Sequence, residues 1–451
     1  MADETGTNTS PIRIAIIGGG LAGATLANAL VQIPHLQIHI YESAPTFSER
    51  GAAVGLSSNA QQALRHVFSS SSSPDGEDGG RAYVADLLSR AGAVPMNSSR
   101  VMLGSGLQAG TLLADMTGAS DPGVVVHRGS LLRELLAPLG DLEGVLHVSK
   151  KLAAMEQITS SRSGGKETEQ VRITFEDGTS DAFDAVIGAD GIFSRVRDYV
   201  LREPANGPES HAAKPAGFWD CRVLVPYEKA KAVIGAEHFE LDRQFAWIGE
   251  GAFIMHDILE HRTMVQCVVS AVEDLEGQPD GSRKRPLTRE FLNKTLDKWL
   301  DGPIAGGIVD LVLDQHKETP NAYSQYHHSS TPTYARDNTC IIGDAAHATT
   351  PWQGAGAGQA FEDAMILGTL FREVKCANQI SAVFRAYDSV RRPRCQRVID
   401  SSWEMGRILC GVAEAGLDPD GLRKAMGGKW SFLFGLDFGE YKKEAVEMFK
   451  E

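Results

Sequence analysis

The chain has 451 residues, 42% hydrophobic and 23% charged, with 44 basic against 58 acidic side chains and a formal charge of −14. This composition excludes collagen, a coiled coil and wholesale disorder, and the length implies two or three domains or one large fold with an inserted layer. Net negative charge repels phosphate backbones and anionic lipid, so no nucleic-acid partner is expected. Cys221, Cys267, Cys340, Cys376, Cys395 and Cys410 are too sparse for a disulfide scaffold and show no zinc spacing, which points to a reducing compartment and to no metal site. The opening MADETGTNTS lacks the features of a signal peptide, and no apolar run approaches the ~18 residues of a membrane span. A cytoplasmic protein with no membrane span is the expectation.

IRIAII, at 12–17, is a β-branched run ended by glycines and reads as a buried parallel strand. Residues 21–33 carry a helical pattern, and 37–41 read as a second strand, completing a βαβ unit. The Ser-, Pro-, Asp- and Gly-rich stretch 69–80 reads as a mobile surface loop. Residues 152–184 read as antiparallel strands with a turn at Asp177-Gly178, and 185–188 as another buried strand. From about 204 to 336 the pattern becomes that of a separate α+β layer, with a strand at 263–270 and a helix at 288–300. TCII at 339–342 is again a buried strand, followed by a glycine-rich turn and a long helix, and 380–410 is strongly helical.

Three motifs carry chemistry. Gly18-x-Gly20-x-x-Gly23 follows the first strand and opens a helix, which suits a tight turn, close approach to a pyrophosphate and close helix–sheet packing. Glu42 closes the second strand, where its carboxylate can accept both ribose hydroxyls of an adenosine. This predicts dinucleotide binding without separating FAD from NAD. The second motif is VIGADGIFSRVR at 186–197, with Asp190 at a strand end and a helix from about Ser194. The third is CIIGDAAHATTPWQGAGAGQAFEDA at 340–364. Asp344 stands there at the carboxyl end of a strand, where a carboxylate suits a polyol, and Gly354, Gly356 and Gly358 precede a helix whose positive end favours a negative charge.

Together, GGGLAG, Glu42, ADGIFSRVR and GDAAHATTPWQGAGAGQAFEDA resemble the FAD-dependent aromatic hydroxylases, the single-component flavoprotein monooxygenases, most closely the salicylate-hydroxylase-like branch. The resemblance spans about 12–410. It implies an α/β fold: a Rossmann-like FAD-binding domain of the p-hydroxybenzoate-hydroxylase kind, an inserted α+β substrate domain and a C-terminal helical segment. The expected boundaries are 11–200 and 337–400 for the FAD-binding domain, 204–336 for the substrate layer and 401–451 for the helical segment. FAD would be held non-covalently, with NADH or NADPH as co-substrate, and a small aromatic substrate and O2 as partners. The expected assembly is a monomer or homodimer. The implied reaction is hydroxylation of a phenol or aromatic acid through a flavin C4a-hydroperoxide. The alternatives are a flavin oxidase or dehydrogenase on the same fold, or a non-catalytic FAD-fold protein.

By the same resemblance, Gly18, Gly20, Gly23 and Glu42 hold the AMP half of FAD, and Gly55 supplies a backbone contact. Arg128 reaches the ribityl or pyrophosphate region, Asp190 serves FAD and the nicotinamide coenzyme, Asp344 binds the ribityl chain, and Ala357 presents a backbone N–H near the flavin. Pro351 lines the flavin's reactive face, and Arg222 matches a position near the substrate. His256 is a possible base, although a lone strand histidine is more often packed; at the next position, Asp257, the sequence departs from relatives that carry a substrate-binding tyrosine nearby. Trp219, Phe245, Trp247 and Phe253 are candidates for an aromatic pocket wall, and Arg391-Arg392-Pro393-Arg394 is expected on a helix at the edge of the FAD domain.

Overall fold

Ile12–Ile17 forms the centre of a parallel sheet, with Ile14 and Ile16 fully buried. Burying each such side chain contributes about 1.5–3 kcal/mol. The computed structural model describes residues 11–47, 53–69, 76–96, 98–117, 122–161, 167–202, 211–274, 283–299, 302–314 and 320–451. Leu36–Tyr41 and Ala185–Gly188 flank the central strand in parallel. Thr339–Ile341 and Leu146–His147 extend the parallel set, and Ala335–Arg336 adds an antiparallel edge, giving six strands.

Strand alternation assigns the two faces of this sheet. Ile16 faces the helix Leu21–Leu30, where a Cβ on Gly23 would lie 3.3 Å from the Ile16 side chain. The helix Gly356–Glu373 packs beside it, so closely that a Cβ on Gly368 would sit 2.9 Å from that of Ala29. On the other face Tyr41 meets Phe175 with ring centroids 4.7 Å apart. Phe175 belongs to a three-stranded antiparallel sheet of Leu152–Ser161, Glu167–Phe175 and Ser180–Phe183, as expected.

A second, eight-stranded sheet runs in the order Lys284–Pro286, Asn321–His327, Lys214–Pro226, Met264–Val272, Ala252–Leu259, Gln244–Gly249, Ser98–Leu103 and Leu112–Thr117. The helices Tyr227–Ile234, Arg289–Thr295 and Ala305–Leu313 cover one face through a core containing Trp219, Cys221, Trp247, Cys267 and Ile308. The last two strands lie within 11–200, the stretch expected to belong to the first domain, so 98–117 joins the substrate layer instead. Sequence order hides this, because the parallel pairing of 98–103 with 244–249 is non-local. A small sheet of Ala53–Leu56, Gly123–His127 and Val94–Met96 lies between the two large ones.

Two other local expectations are corrected. The helix Gly76–Arg90 begins inside the stretch read as a loop, while 70–75 lie outside the described residues. The arginine cluster lies within one unbroken helix, Ile380–Leu409, that crosses the expected boundary at 400, and Arg391 is fully buried rather than at an edge. No helix among the described residues is long and apolar enough to cross a membrane.

Candidate functional site

The three motifs meet at the carboxyl edge of the parallel sheet. The register pairs Ile17 with both Tyr41 and Gly188, and Gly188 with Ile341, so Gly18, Glu42, Ala189 and Ile342 end adjacent strands in one row. Ala189 N donates to Ile17 O at 2.7 Å and Ile342 N to Gly188 O at 2.8 Å. Gly18 has φ +108°, and a Cβ there would lie 2.3 Å from Ala189 O, so only glycine allows the first and second motifs to touch. A Cβ on Gly343 would lie 2.9 Å from that of Ala22, which brings the third motif against the first helix.

Each expected cofactor residue has a distinct place on this edge. Glu42 Oε1 accepts from Ala44 N at 2.8 Å and Ser43 Oγ at 3.1 Å, and Oε2 accepts from Gly19 N at 3.0 Å, which orients the carboxylate and leaves Oε2 able to accept a ribose hydroxyl. Gly20 caps the helix Leu21–Leu30 in extended conformation, so the first turn's N–H groups point outward from the edge. Gly55 pairs with Val125 in the small sheet, and Arg128 opens the helix that follows that sheet's strand Gly123–His127. A Cβ on Gly55 would meet no atom, so space lies over that backbone. Asp344 is exposed and has no side-chain partner among the described residues, while its neighbours Gly343 and Ala345 are buried. Ala357 lies in the first turn of Gly356–Glu373, with free N–H groups, and Pro351 and Gly354 are exposed just before it. An exposed carboxylate, open glycine backbone and two helix N-termini on one edge fit a long ligand carrying a diphosphate and a polyol.

Asp190 lies in the turn after the strand Ala185–Gly188. It accepts from Ser194 Oγ at 2.5 Å, Arg195 N at 2.8 Å and Val196 N at 3.3 Å, so it caps the helix Arg195–Leu201. It shapes the turn beside Gly18.

Sequence reasoning missed the brace behind the third motif. Asp363 Oδ2 lies 2.6 Å from His347 Nε2 and accepts from Gly343 N at 2.9 Å, while its Oδ1 accepts from Arg391 Nε at 2.7 Å. Glu362 accepts from Arg391, from Arg394 at 2.7 Å and from Asn59 at 2.9 Å. Arg391, Glu362 and Asp363 are fully buried. Burial opposes ionisation of Asp363, but His347 and Arg391 outweigh it and hold its carboxyl down at about 2. Burial also opposes charge on His347, and Asp363 outweighs that, raising its pKa. His347, Asp363 and Cys395 bring three potential metal-ligand atoms within 4.8 Å of one another, but Asp363 is already committed to Arg391, His347 and Gly343. A second missed residue is Arg197, which donates to the carbonyls of Ala345 at 3.0 Å and Ala346 at 3.1 Å, tying the second motif to the third.

The face of the eight-stranded sheet opposite those three helices packs, through Ala246, Ile248 and Phe253, against Trp352 of the third motif and the helices Ile380–Leu409 and Pro419–Met426. Alternation and register lay its side chains out as a grid. One row holds Asp220, Ser270 and Phe253; the next Arg222, Val268 and Met255; the next Leu224, Gln266 and Asp257. Phe253 packs edge-on against Trp352, with centroids 5.6 Å apart, next to Pro351. Trp352 in turn lies over Gly406, where a Cβ would be 2.4 Å from its indole nitrogen. Leu224 shares an apolar contact with Ala53 and Val125 of the small sheet. The middle row therefore looks into the gap between these two contacts.

His256 is not in this gap. It alternates to the helical face, stacked on Phe245 at 5.1 Å, and burial lowers its pKa to about 3. Neither ring nitrogen has a partner among the described residues. The structure thus separates it from Arg222 and Pro351. Trp219, Phe245 and Trp247 face the same helical core, so only Phe253 of the expected aromatic wall belongs to the gap. Arg222 does face it, paired with Asp220 at 3.1 Å.

Asp257 is 2% exposed, and burial raises its pKa to about 6. An unfolded Asp titrates near 3.9, so above pH 6 the carboxyl is charged in both states and its charge costs the fold on the order of 3 kcal/mol, a cost absent below about pH 4. Asp257→Asn is expected to raise the unfolding free energy by about 1–3 kcal/mol at pH 8 and to leave it nearly unchanged at pH 3.5. Urea titration at the two pH values checks this; an equal effect at both would contradict it.

Comparison with known proteins gives the family. A family model described as FAD binding domain matches residues 310–402, which include the third motif and its brace. A 6-methylsalicylate 1-monooxygenase of Aspergillus terreus is 33% identical, over 99% of this chain and 94% of its own. A salicylate hydroxylase of Pseudomonas putida is 30% identical, over 89% of this chain and 87% of its own. Among solved structures, a salicylate hydroxylase in a substrate complex superposes with a TM-score of 0.78 at 22% identity, covering 97% of this chain and 98% of its own. By its sequence, by its fold and by the three turns at one sheet edge, the chain belongs to the FAD-dependent aromatic monooxygenases.

Proposed function

We propose that the protein hydroxylates a small phenol or aromatic acid, using FAD, NAD(P)H and O2, in the gap between the carboxyl edge of the parallel sheet and the face of the second sheet that carries Arg222, Val268 and Met255. The observation that carries this reading is the meeting of two surfaces. An edge built for an extended dinucleotide is joined, through Trp352 of the third motif packed on Phe253, to the sheet face that carries the apolar strip Val268 and Met255 and, beside it, Arg222. FAD supplies the redox and oxygen chemistry; the chain supplies position and dryness. Glu42 and the first helix take the adenosine and diphosphate, and Asp344 the ribityl chain. Ala357 and the start of its helix favour negative charge on the flavin ring. Arg222 holds an anionic or electron-rich group of the substrate, and its planar donors suit a carboxylate or phenolate.

The wall formed by Phe253, Trp352 and Pro351 keeps water from the reacting atoms, which limits loss of reducing power to peroxide. The relatives' substrates, 6-methylsalicylate and salicylate, support a hydroxybenzoic acid as the substrate class. All six cysteines are free of disulfides, which supports action in the reducing cytoplasm.

The test is a panel of phenols and hydroxybenzoic acids, with salicylate and 6-methylsalicylate among them. At least one is expected to stimulate NAD(P)H oxidation and to yield a product heavier by one oxygen in mass spectrometry. Stimulated oxidation with every substrate recovered unchanged, and only peroxide formed, would defeat the reading.

A further inference from the structure

The buried carboxyl of Asp257 has no counter-ion within bonding distance among the described residues. It is held by two neutral amides, Gln244 Nε2 at 3.0 Å and Gln266 Nε2 at 3.3 Å. Contacts elsewhere aim both amides at it. Gln266 Oε1 accepts from Ala53 N at 2.9 Å, and Gln244 Oε1 accepts from Ser99 Oγ at 3.3 Å, so in each case the NH2 end is left to face Asp257. Neutral donors do not cancel a buried charge, and the fold gains nothing from a carboxylate that an apolar residue would not give it. Arg222, on the same sheet face, acts on it only at a distance, because its guanidinium is engaged with Asp220.

Each Asp257 oxygen accepts one bond and keeps capacity for another. The neighbouring row of the grid, Val268 and Met255, is the apolar strip on which the ring is proposed to lie. Resting on that reading of the gap, we infer that Asp257 accepts a hydrogen bond from a hydroxyl on the substrate ring and thereby selects free phenols over their O-alkyl ethers. The carboxyl end of the grid also repels anions, so the substrate's own carboxylate turns toward Arg222 and its hydroxyl toward Asp257. A substrate ether cannot donate, and it would press a methyl group against a buried acceptor.

The test uses the FAD-loaded enzyme and the tightest-binding phenol of the panel, compared with its O-methyl ether. Binding is read from the perturbation of flavin absorbance, without turnover. The wild type is expected to bind the phenol at least about tenfold tighter than the ether, since bonds to charged acceptors are the stronger class. In Asp257→Leu the preference is expected to fall below about threefold, and in Asp257→Asn, which keeps a neutral acceptor, to an intermediate value. A purely structural role would weaken both ligands together and leave their ratio unchanged. An unchanged ratio in the variants, or no preference in the wild type, would overturn the inference. If the leucine variant does not retain FAD, the asparagine variant decides. Hydroxylation by the wild type with an unchanged ratio would sink this inference alone; a panel with no hydroxylated product would sink the proposed function.

Discussion

Replacing Arg391 with leucine is expected to cost about 3–5 kcal/mol and to yield a protein that holds little FAD. The guanidinium bonds Glu362, Asp363 and Gln359 and lies against the hydroxyl of Tyr441. Removing it leaves two carboxylates in a fully buried place with Arg394 and His347 as their remaining cationic partners. A typical domain has only about 5–15 kcal/mol of stability, so this is a large fraction of the whole. The damage reaches the cofactor edge directly, because Asp363 also anchors Gly343 N and His347. Combining Arg391→Met with Asp363→Asn is expected to recover part of the loss, since Glu362 keeps Arg394 as its partner and His347 can stay neutral beside an amide. Urea unfolding and FAD content measure both effects. A single Arg391→Leu variant with wild-type stability would show that the brace carries no weight.

Asp344→Ala is expected to do the opposite kind of damage, with the fold intact and the cofactor lost. The side chain is exposed and has no partner among the described residues, so its removal leaves nothing unsatisfied. If it accepts from ribityl hydroxyls, two charge-assisted bonds disappear. FAD affinity should then fall by about 10–100-fold or more. The purified variant should lose its yellow colour on gel filtration while its thermal unfolding matches that of the wild-type apoprotein. FAD content equal to the wild type would count against the role given to Asp344.

The cofactor edge was legible because its signals are local. Gly18, Gly23 and Glu42 sit at fixed offsets from one strand, and the structure places Gly18 and Glu42 at the ends of that strand and its neighbour, with Gly23 in the helix that packs on Gly18. The second and third motifs were legible as strand ends for the same reason, and the register lines them up with the first. The brace was not. Arg391 is nearly thirty residues from Glu362 and Asp363, and charged residues in a helix ordinarily read as a solvated face. Only their burial shows that they balance one another. The face of the second sheet was likewise closed to sequence reading. Its strands are buried on both sides, so neither hydrophobicity nor alternation tells which face looks at the flavin. That is why His256 and Asp257, adjacent in sequence, were not separable until the register put one among the helices and the other on the opposite face, in the row next to Val268 and Met255.

In the proposed reaction, oxygen activated at the parallel-sheet edge enters an aromatic ring lying on the second sheet. The most direct measurement supplies enzyme, NAD(P)H and the best phenol of the panel with oxygen-18 gas in ordinary water. The product is expected to carry one labelled oxygen on its ring. A product without label, whether its new oxygen comes from water or no oxygen is inserted at all, would contradict the claim.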